Sequence, residues 1–397
     1  MPWKELSQVD QRLRFIAECQ AGEGSFTEHC AHFGVSRKTG YKWRDRYASE
    51  GPSGLGDRSR RPLTSPESTP LPIVERLLAL RRSHPNWGAK KLLKVLADRG
   101  ITDLPGRSTC CDLLRRHGLV VSPRRRKYPG HPGRPQSPMT EPNAVWTADF
   151  KGQFRTRDGE YCYPLTVADG YSRFLLACKG LRSPSITLSR PVFFRLFSDY
   201  GLPRIIRTDN GVPFATTALG RLSTLSVWWI RLGIFPELIE PAHPEQNGRH
   251  ERMHRTLKRE TAIPSKANLA AQQRRFDQFR QEFNNERPHE ALGQETPASF
   301  YKPSPRPLPS KLPPIEYPPH FEVRYVSANG AIRWKCAWVC VTHTLAGEFV
   351  GFEEVGDGLW DAYFGPILLG RMDERLRRIE DHKGRLIRRK VSPMSPD

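Results

Sequence analysis

Three acidic residues in the middle of the chain stand where a cation site can form. Asp149 ends a strand-like run in Trp146-Thr147-Ala148-Asp149-Phe150, and Asp209 ends another in Ile205-Ile206-Arg207-Thr208-Asp209-Asn210-Gly211. Glu251 follows on a helical stretch after His243-Pro244-Glu245-Gln246-Asn247-Gly248. Adjacent strands would bring the two aspartates to one sheet edge, and a helix packed across that edge would add a third oxygen ligand. Crowded carboxylates repel one another without a counter-ion, and hard cations such as Mg²⁺ prefer carboxylate oxygens and water. Two such ions roughly 3.5–4 Å apart can activate an attacking oxygen and stabilise a leaving one, which is phosphodiester chemistry. Taken singly, each acid has a plainer use as a cap or turn residue, since Asp before Asn-Gly commonly starts a turn.

The elements that must hold these acids are readable from residue patterning. Strand-like runs at 145–150, 161–167 and 174–178, spaced by Gly and Asp turns, predict a three-stranded meander. A helix near 192–200, with an uncertain start around Pro191, a strand at 204–208, a helix from about 218 to 232, a strand at 236–240 and a helix from about 245 to 260 follow. Residues 267–287 predict one more helix. Three strands and then alternating helices and strands imply a mixed sheet with helices on both faces. On the 245–260 helix, Asn247, Glu251, His254, Arg255 and Lys258 are spaced to share one face, placing a metal ligand beside donors for a DNA phosphate.

The rest of the chain is built for a polyanion. Its 63 Lys plus Arg against 42 Asp plus Glu give a net charge of +21, and the natural partners of such a surface are nucleic acids. The first 142 residues hold 26 of the basic and 14 of the acidic residues, so the excess is concentrated there. Residues 8–50 read as three helices, with Leu13, Phe15, Ile16, Phe26, Cys30, Phe33, Tyr41, Trp43 and Tyr47 as apolar positions. Gly34-Val35-Ser36 supplies a sharp turn, a core plug and a cap, the arrangement of a helix-turn-helix. The next helix carries Arg37, Lys38, Lys42 and Arg44, donors that a recognition helix needs for phosphates and base edges. The plainer alternative is a basic solvated helix on any small bundle, and the mid-helix Gly40 costs about 1 kcal/mol against Ala. A second trihelical unit follows, with Ile73, Leu77, Leu78 and Leu80, then Leu92, Leu93 and Leu96, then Cys111, Leu113 and Leu114.

Residues 119–142 form a basic, Pro-rich tether that cannot bury a core. A second Pro-rich linker spans 302–319. From 320 to 375 short apolar strands alternate with turns, and Asn329-Gly330 and Asp357-Gly358 are hairpin signals, so a small all-β barrel is expected. A charged tail over 376–397 closes the chain. The eight cysteines form no CxxC pair, and His29, Cys30 and His32 read as ordinary helix residues rather than a metal site. No apolar run approaches the length needed to span a bilayer and no signal core opens the chain, so a soluble, cytoplasmic protein is expected, nucleoid-associated when on DNA.

WTADFKGQF (146–154), VADGYSRF (167–174), RTDNGVPFA (207–215), HPEQNGRHERMHRTLKRE (243–260) and FNNERPHEALGQETPASFY (283–301) together resemble the bacterial insertion-sequence DDE transposases with a retroviral-integrase-like catalytic core. GVSRKTGYKWRDRY (34–47) and HPNWGAKKL (84–92) are similar to their N-terminal helix-turn-helix units. The resemblance implies a multidomain chain: a helix-turn-helix domain over 1–60, a second such unit over 70–118, and an α/β ribonuclease-H-like core over 143–301 ahead of the small all-β barrel. It implies Asp149, Asp209 and Glu251 as catalytic and metal-binding residues, two Mg²⁺ or Mn²⁺ ions as cofactors, and double-stranded DNA, both element ends and target, as partner of a homo-oligomer. The DNA-contacting set is Arg37, Lys38, Lys42, Arg44, Asn247, Arg255 and Lys258. The family spacing of 35 residues between the second Asp and the Glu falls on Glu245, but the Asn-Gly-x-x-Glu motif selects Glu251, with 41 between; extra residues around 218–226 account for the difference. Rival functions are a metal-dependent nuclease that does not join ends and a DNA-binding repressor with an inactive core.

Overall fold

A computed structural model describes residues 7–22, 24–59, 68–120, 137–239 and 248–380. The chain divides into two compact units, Met1–Ser68 and Thr69–Asp397. In the first, α1 (Gln8–Ala21), α2 (Phe26–His32) and α3 (Arg37–Glu50) each start at a serine cap, Ser7, Ser25 and Ser36, whose side chain accepts a backbone N–H in the first turn. They enclose Phe15, Ile16, Cys30, Trp43 and Leu55, so Cys30 is a core residue. Leu13 and Tyr41, expected inside, are exposed. Gly34 takes a left-handed φ of 63° in the turn between α2 and α3. Gly40 is buried because α3 meets the other helices there: a Cβ would lie 2.6 Å from Cys30 Sγ and 3.0 Å from Phe15 Cζ. The glycine that weakens α3 by propensity is what lets it dock.

The second unit opens with another trihelical group, α4 (Leu71–Ser83), α5 (Ala89–Asp98) and α6 (Arg107–Arg116). Leu77, Leu92 and Cys110 are its fully buried centre, with Trp87 beside them; Cys110 rather than Cys111 points inward. α5 faces the downstream core, where Lys94 pairs with Glu295 at 2.8 Å and Lys90 pairs with Glu290.

The core sheet is built from β1 (Val145–Phe150), β2 (Phe154–Arg155), β3 (Tyr161–Asp169), β4 (Leu175–Leu181), β5 (Ile205–Thr208) and β6 (Phe235–Leu238). β3 runs antiparallel to β1 and β4, and β2 pairs with its first two residues. On the other side of β1, β5 and then β6 run parallel to it. Alternation along β1 sends Trp146 and Ala148 to a face covered by α7 (Ile186–Tyr200) and α8 (Thr224–Arg231). Thr147 and Asp149 point to the opposite face, where α9 (Gly248–Leu257) and α10 (Leu269–Asn285) pack over Cys162, Leu175 and Cys178. α7 starts earlier than expected, at a Ser185 cap that accepts from Leu188 N–H, with Pro191 inside the helix. α9 continues into a π-helical segment, Lys258–Ala262. A short 3₁₀ segment over 290–292 and α11 (Pro297–Phe300) end the core.

Residues 302–319 lie along the core. Arg306 donates to the carbonyls of Pro203, Leu232 and Gly233, and the Tyr317 hydroxyl donates to Phe349 O at 2.8 Å. Beyond them the expected barrel is not closed. β7 (Glu322–Tyr325), β10 (Phe349–Gly356), β11 (Leu359–Phe364), β12 (Ile367–Asp373) and β13 (Arg378–Glu380) form one open antiparallel sheet with β7 and β13 at its edges. β8 (Ala331–Trp334) and β9 (Ala337–Cys340) form a separate hairpin. The reason is in the packing: Leu219, Leu222, Val227 and Ile230 of the core join Val326, Ile332, Phe352 and Phe364 in one apolar cluster. The core covers the apolar face that a barrel would have closed on itself. Those four residues fall in or just after the extra stretch that lengthens the gap between Asp209 and Glu251. The expected tail begins with β13, and residues 381–397 lie outside those described. Among the described residues, no helix is long and apolar enough to cross a membrane.

Candidate active site

Asp149 and Asp209 are neighbours because of strand register. Ala148 of β1 pairs with Thr208 of β5, so the next residue on each parallel strand is one of the two aspartates. Asp209 turns the chain: its Oδ1 accepts from Gly211 N–H at 3.3 Å, and Asn210 donates to Ile239 O at 2.9 Å. Burial pushes the Asp149 carboxyl up to about 7, helped by the charges of Asp209 and Glu251, while the Phe150 backbone and Lys151 oppose the rise. Burial also raises Asp209. Asp149 thus feels both other acids of the proposed set. Glu251 is exposed on α9, and among the described residues no three His, Cys, Asp or Glu side chains form a closed ligand group.

Helix α9 is held against Asp149 by a buried network that sequence patterning did not single out. Thr166 Oγ1, on β3, lies 2.6 Å from Nε2 of both His250 and His254 and donates to Asp149 O at 3.1 Å. His250 Nδ1 lies 2.9 Å from Thr147 Oγ1. The carbonyl of Asp149 can only accept, so the one Thr166 hydroxyl proton goes there and both imidazoles donate from Nε2. Their Nδ1 atoms then carry lone pairs. His250 Nδ1 lies against the Thr147 hydroxyl, which also reaches Ala168 O at 3.3 Å, whereas His254 Nδ1 faces Asp149 Oδ2 at 3.7 Å. Burial holds His250 down to about 3; burial, then His250 and Lys151, hold His254 down to about 2, so both rings are neutral. The His254–Asp149 contact is therefore no ion pair. A lone pair facing a carboxyl oxygen wants a proton or a cation between them. The donor set fits a hard cation on that ground, because burial and three nearby acids concentrate uncompensated negative charge.

The predicted helix face splits. His254 joins His250, Met253 and Leu257 on the buried side, while Glu251, Arg255 and Lys258 are exposed, the last in the π-helical segment. The signal was present in the 250, 253–254, 257 spacing, which marks a buried stripe. Asn247 and Glu245 lie outside the described residues. In the first unit Arg37, Lys38, Lys42 and Arg44 are all exposed on α3, with Lys42 over the Trp43 ring and Arg44 over Tyr41.

Residues 139–244 match a family model described as Integrase core domain, and residues 232–297 match a second model of the same description. Residues 11–62 match Helix-turn-helix domain, and residues 39–114 match Homeodomain-like domain. The helix-turn-helix and homeodomain-like matches thus lie ahead of the integrase-core matches along the chain. Its homologues include insertion-element proteins. It is 26% identical over 242 residues to an uncharacterized 31.7 kDa protein of insertion element IS407 from Burkholderia multivorans, covering 57% of this chain and 80% of that one. It is 26% identical over 255 residues to an uncharacterized 39.2 kDa protein of insertion element IS476 from Xanthomonas euvesicatoria, covering 62% and 70%. A solved structure of the HTLV-2 integrase catalytic core domain in complex with magnesium aligns over 41% of this chain and 99% of that one, at 15% identity and a TM-score of 0.33.

Proposed function

We propose that this chain is a DDE transposase that binds the terminal inverted repeats of a mobile element and cuts and joins its DNA in the bacterial cytoplasm. The observation that carries this reading is the pairing of Asp149 with Asp209 at the ends of adjacent parallel strands, with both Asp209 and Glu251 raising the Asp149 carboxyl. Asp149, Asp209 and Glu251 would hold two Mg²⁺ or Mn²⁺ ions. When bound, the ions supply Lewis-acid activation of the attacking and leaving oxygens. Thr166, His250 and His254 fix the height of α9 against β1 and keep the Asp149 carboxyl turned to the site. Arg255 and Lys258, exposed on the Glu251 flank, would hold phosphates of the strand being cut, and the exposed basic residues of α3 would engage the element ends. Water attacks the phosphodiester and the P–O3′ bond breaks to leave a 3′-OH. That hydroxyl then attacks a target phosphodiester, forming a new P–O3′ bond as the old one leaves, with no covalent enzyme intermediate.

The test is Glu251→Gln in the full-length protein on labelled duplexes carrying the element termini. The variant should bind the duplex as the parent does and neither cleave nor join. An active Glu251→Gln protein would overturn the assignment. Cleavage without a joined product from the parent would favour a nuclease, and cleavage undiminished by EDTA would remove the metal mechanism.

A further inference from the structure

Around α9 from Glu251 by roughly a third of a turn lies a second crowd of charge, this one positive. Arg249 and Arg252, both exposed, share that flank and meet Arg173 of the turn between β3 and β4; Arg249 Nη1 donates to Gly170 O in the same turn at 3.1 Å. Among the described residues, none of the three guanidiniums has a carboxylate within ion-pair distance. Asp169 attracts Arg173 but spends its oxygens on Asn143 N–H at 2.7 Å, Ser172 N–H at 2.8 Å and the Ser172 hydroxyl at 2.6 Å. Burial, then the charges of Arg249 and Arg252, pull Arg173 down to about 10. Burial, then Arg207 and Arg252, lower Arg249. Arg207 is itself neutralised by Glu237. On the side of the second helical unit, Lys91 of α5 and Arg173 both act on the buried His289 ring, while Arg287 beside them is paired with Glu260 at 2.9 Å.

We propose that Arg173, Arg249 and Arg252 form a phosphate-binding station for duplex DNA, carrying the backbone between the second helical unit and the acids at the other flank of α9. Planar guanidiniums bind phosphate through paired N–H donors, and an anion among them removes a repulsion that the free protein bears. This rests on the DNA-processing reading above.

The experiment uses full-length protein and random-sequence duplex DNA, titrated across salt. Arg252→Ala is compared with Arg195→Ala, which removes the same charge from α7, where the side chain is 86% exposed. Arg252→Ala should weaken binding by about fivefold or more at low salt and reduce the log–log salt slope by about 1. Arg252→Lys should restore most of the slope, and Arg195→Ala should change both quantities less. Arg252→Ala should also melt no lower than the parent, since a like-charge neighbour is gone. Equal effects of Arg252→Ala and Arg195→Ala, or a lower melting temperature for Arg252→Ala, would overturn the station while leaving the transposase reading intact. A parent that does not bind duplex DNA would overturn both.

Discussion

Helix α9 divides two crowds of like charge, carboxylates at Asp149, Asp209 and Glu251 on one side and guanidiniums at Arg173, Arg249 and Arg252 on the other. The acids are partly sunk into the sheet edge, so burial dominates and one of them holds its proton to about 7. The arginines reach solvent at Arg249 and Arg252, and a guanidinium does not shed its proton at ordinary pH, so that crowd keeps its charge. A carboxylate crowd can relax by taking up a proton or a metal ion, whereas the arginines can relax only by meeting an anion. Between them the Thr166–His250–His254 network is buried and neutral, and it ties α9 to β1 and β3.

The largest effect is expected where that neutral element is broken. Thr166 is fully buried, and Thr166→Val leaves the Nε2 groups of His250 and His254 without their shared partner. Each unsatisfied buried group costs about 1–3 kcal/mol, so losing the partner of both imidazoles should cost about 2–6 kcal/mol in chemical denaturation. Thr166→Ser should stay near the parent. If Val is tolerated as well as Ser, the network does not hold α9.

The next effect concerns the acid side and depends on pH. Folded Asp149 keeps its proton to about 7, against a usual value of 3.8, so folding takes up a proton between these limits. Asp149 should therefore contribute a falling slope of stability from about pH 4 to 7, roughly 1–4 kcal/mol in all, against the rise that the buried neutral His250, His254 and His289 contribute over the lower part of that range. Asp149→Asn should abolish this slope, melting above the parent at pH 8 and level with it below pH 4. Added Mg²⁺ should raise the melting temperature of the parent and not of Asp149→Asn. A stability difference between the parent and Asp149→Asn that stays flat from pH 4 to 8 would show that Asp149 does not hold its proton in the folded protein.

The smallest effect belongs to the arginine side. Any melting gain of Arg252→Ala should shrink as salt screens the repulsion, since these charges sit near solvent. A gain that grew with salt would mean that packing, not charge, had changed.

A separate check bears on the first unit. Gly40→Ala should destabilise it by about 1–3 kcal/mol through overpacking against Cys30 and Phe15, although Ala is the better helix former by about 1 kcal/mol. Hydrogen exchange of α3 would read this, and slower exchange in the variant would contradict the close contact.

Much of this molecule follows from local pattern. The three-helix units, the meander and the strands bearing Asp149 and Asp209 are legible because amphipathic periods of 3.6 and 2 are properties of neighbouring residues. The parallel pairing that joins the two aspartates follows from the order of elements. What α9 presents to each side was not legible: His254 and Glu251 are equally spaced for a shared face, and only the fit of the helix against Thr147 and Thr166 turns one in and leaves the other out. The same limit explains the barrel. The strand runs and the Asp357-Gly358 turn are local, but closure depends on which surface covers the apolar face, and here Leu219, Leu222, Val227 and Ile230, from about a hundred residues earlier, supply it. The arginine station is likewise invisible along the chain, because Arg173 and Arg249 lie far apart in sequence and meet only when β3 turns back beneath α9. Like charges gather there because the fold brings distant segments together, and nothing local announces it.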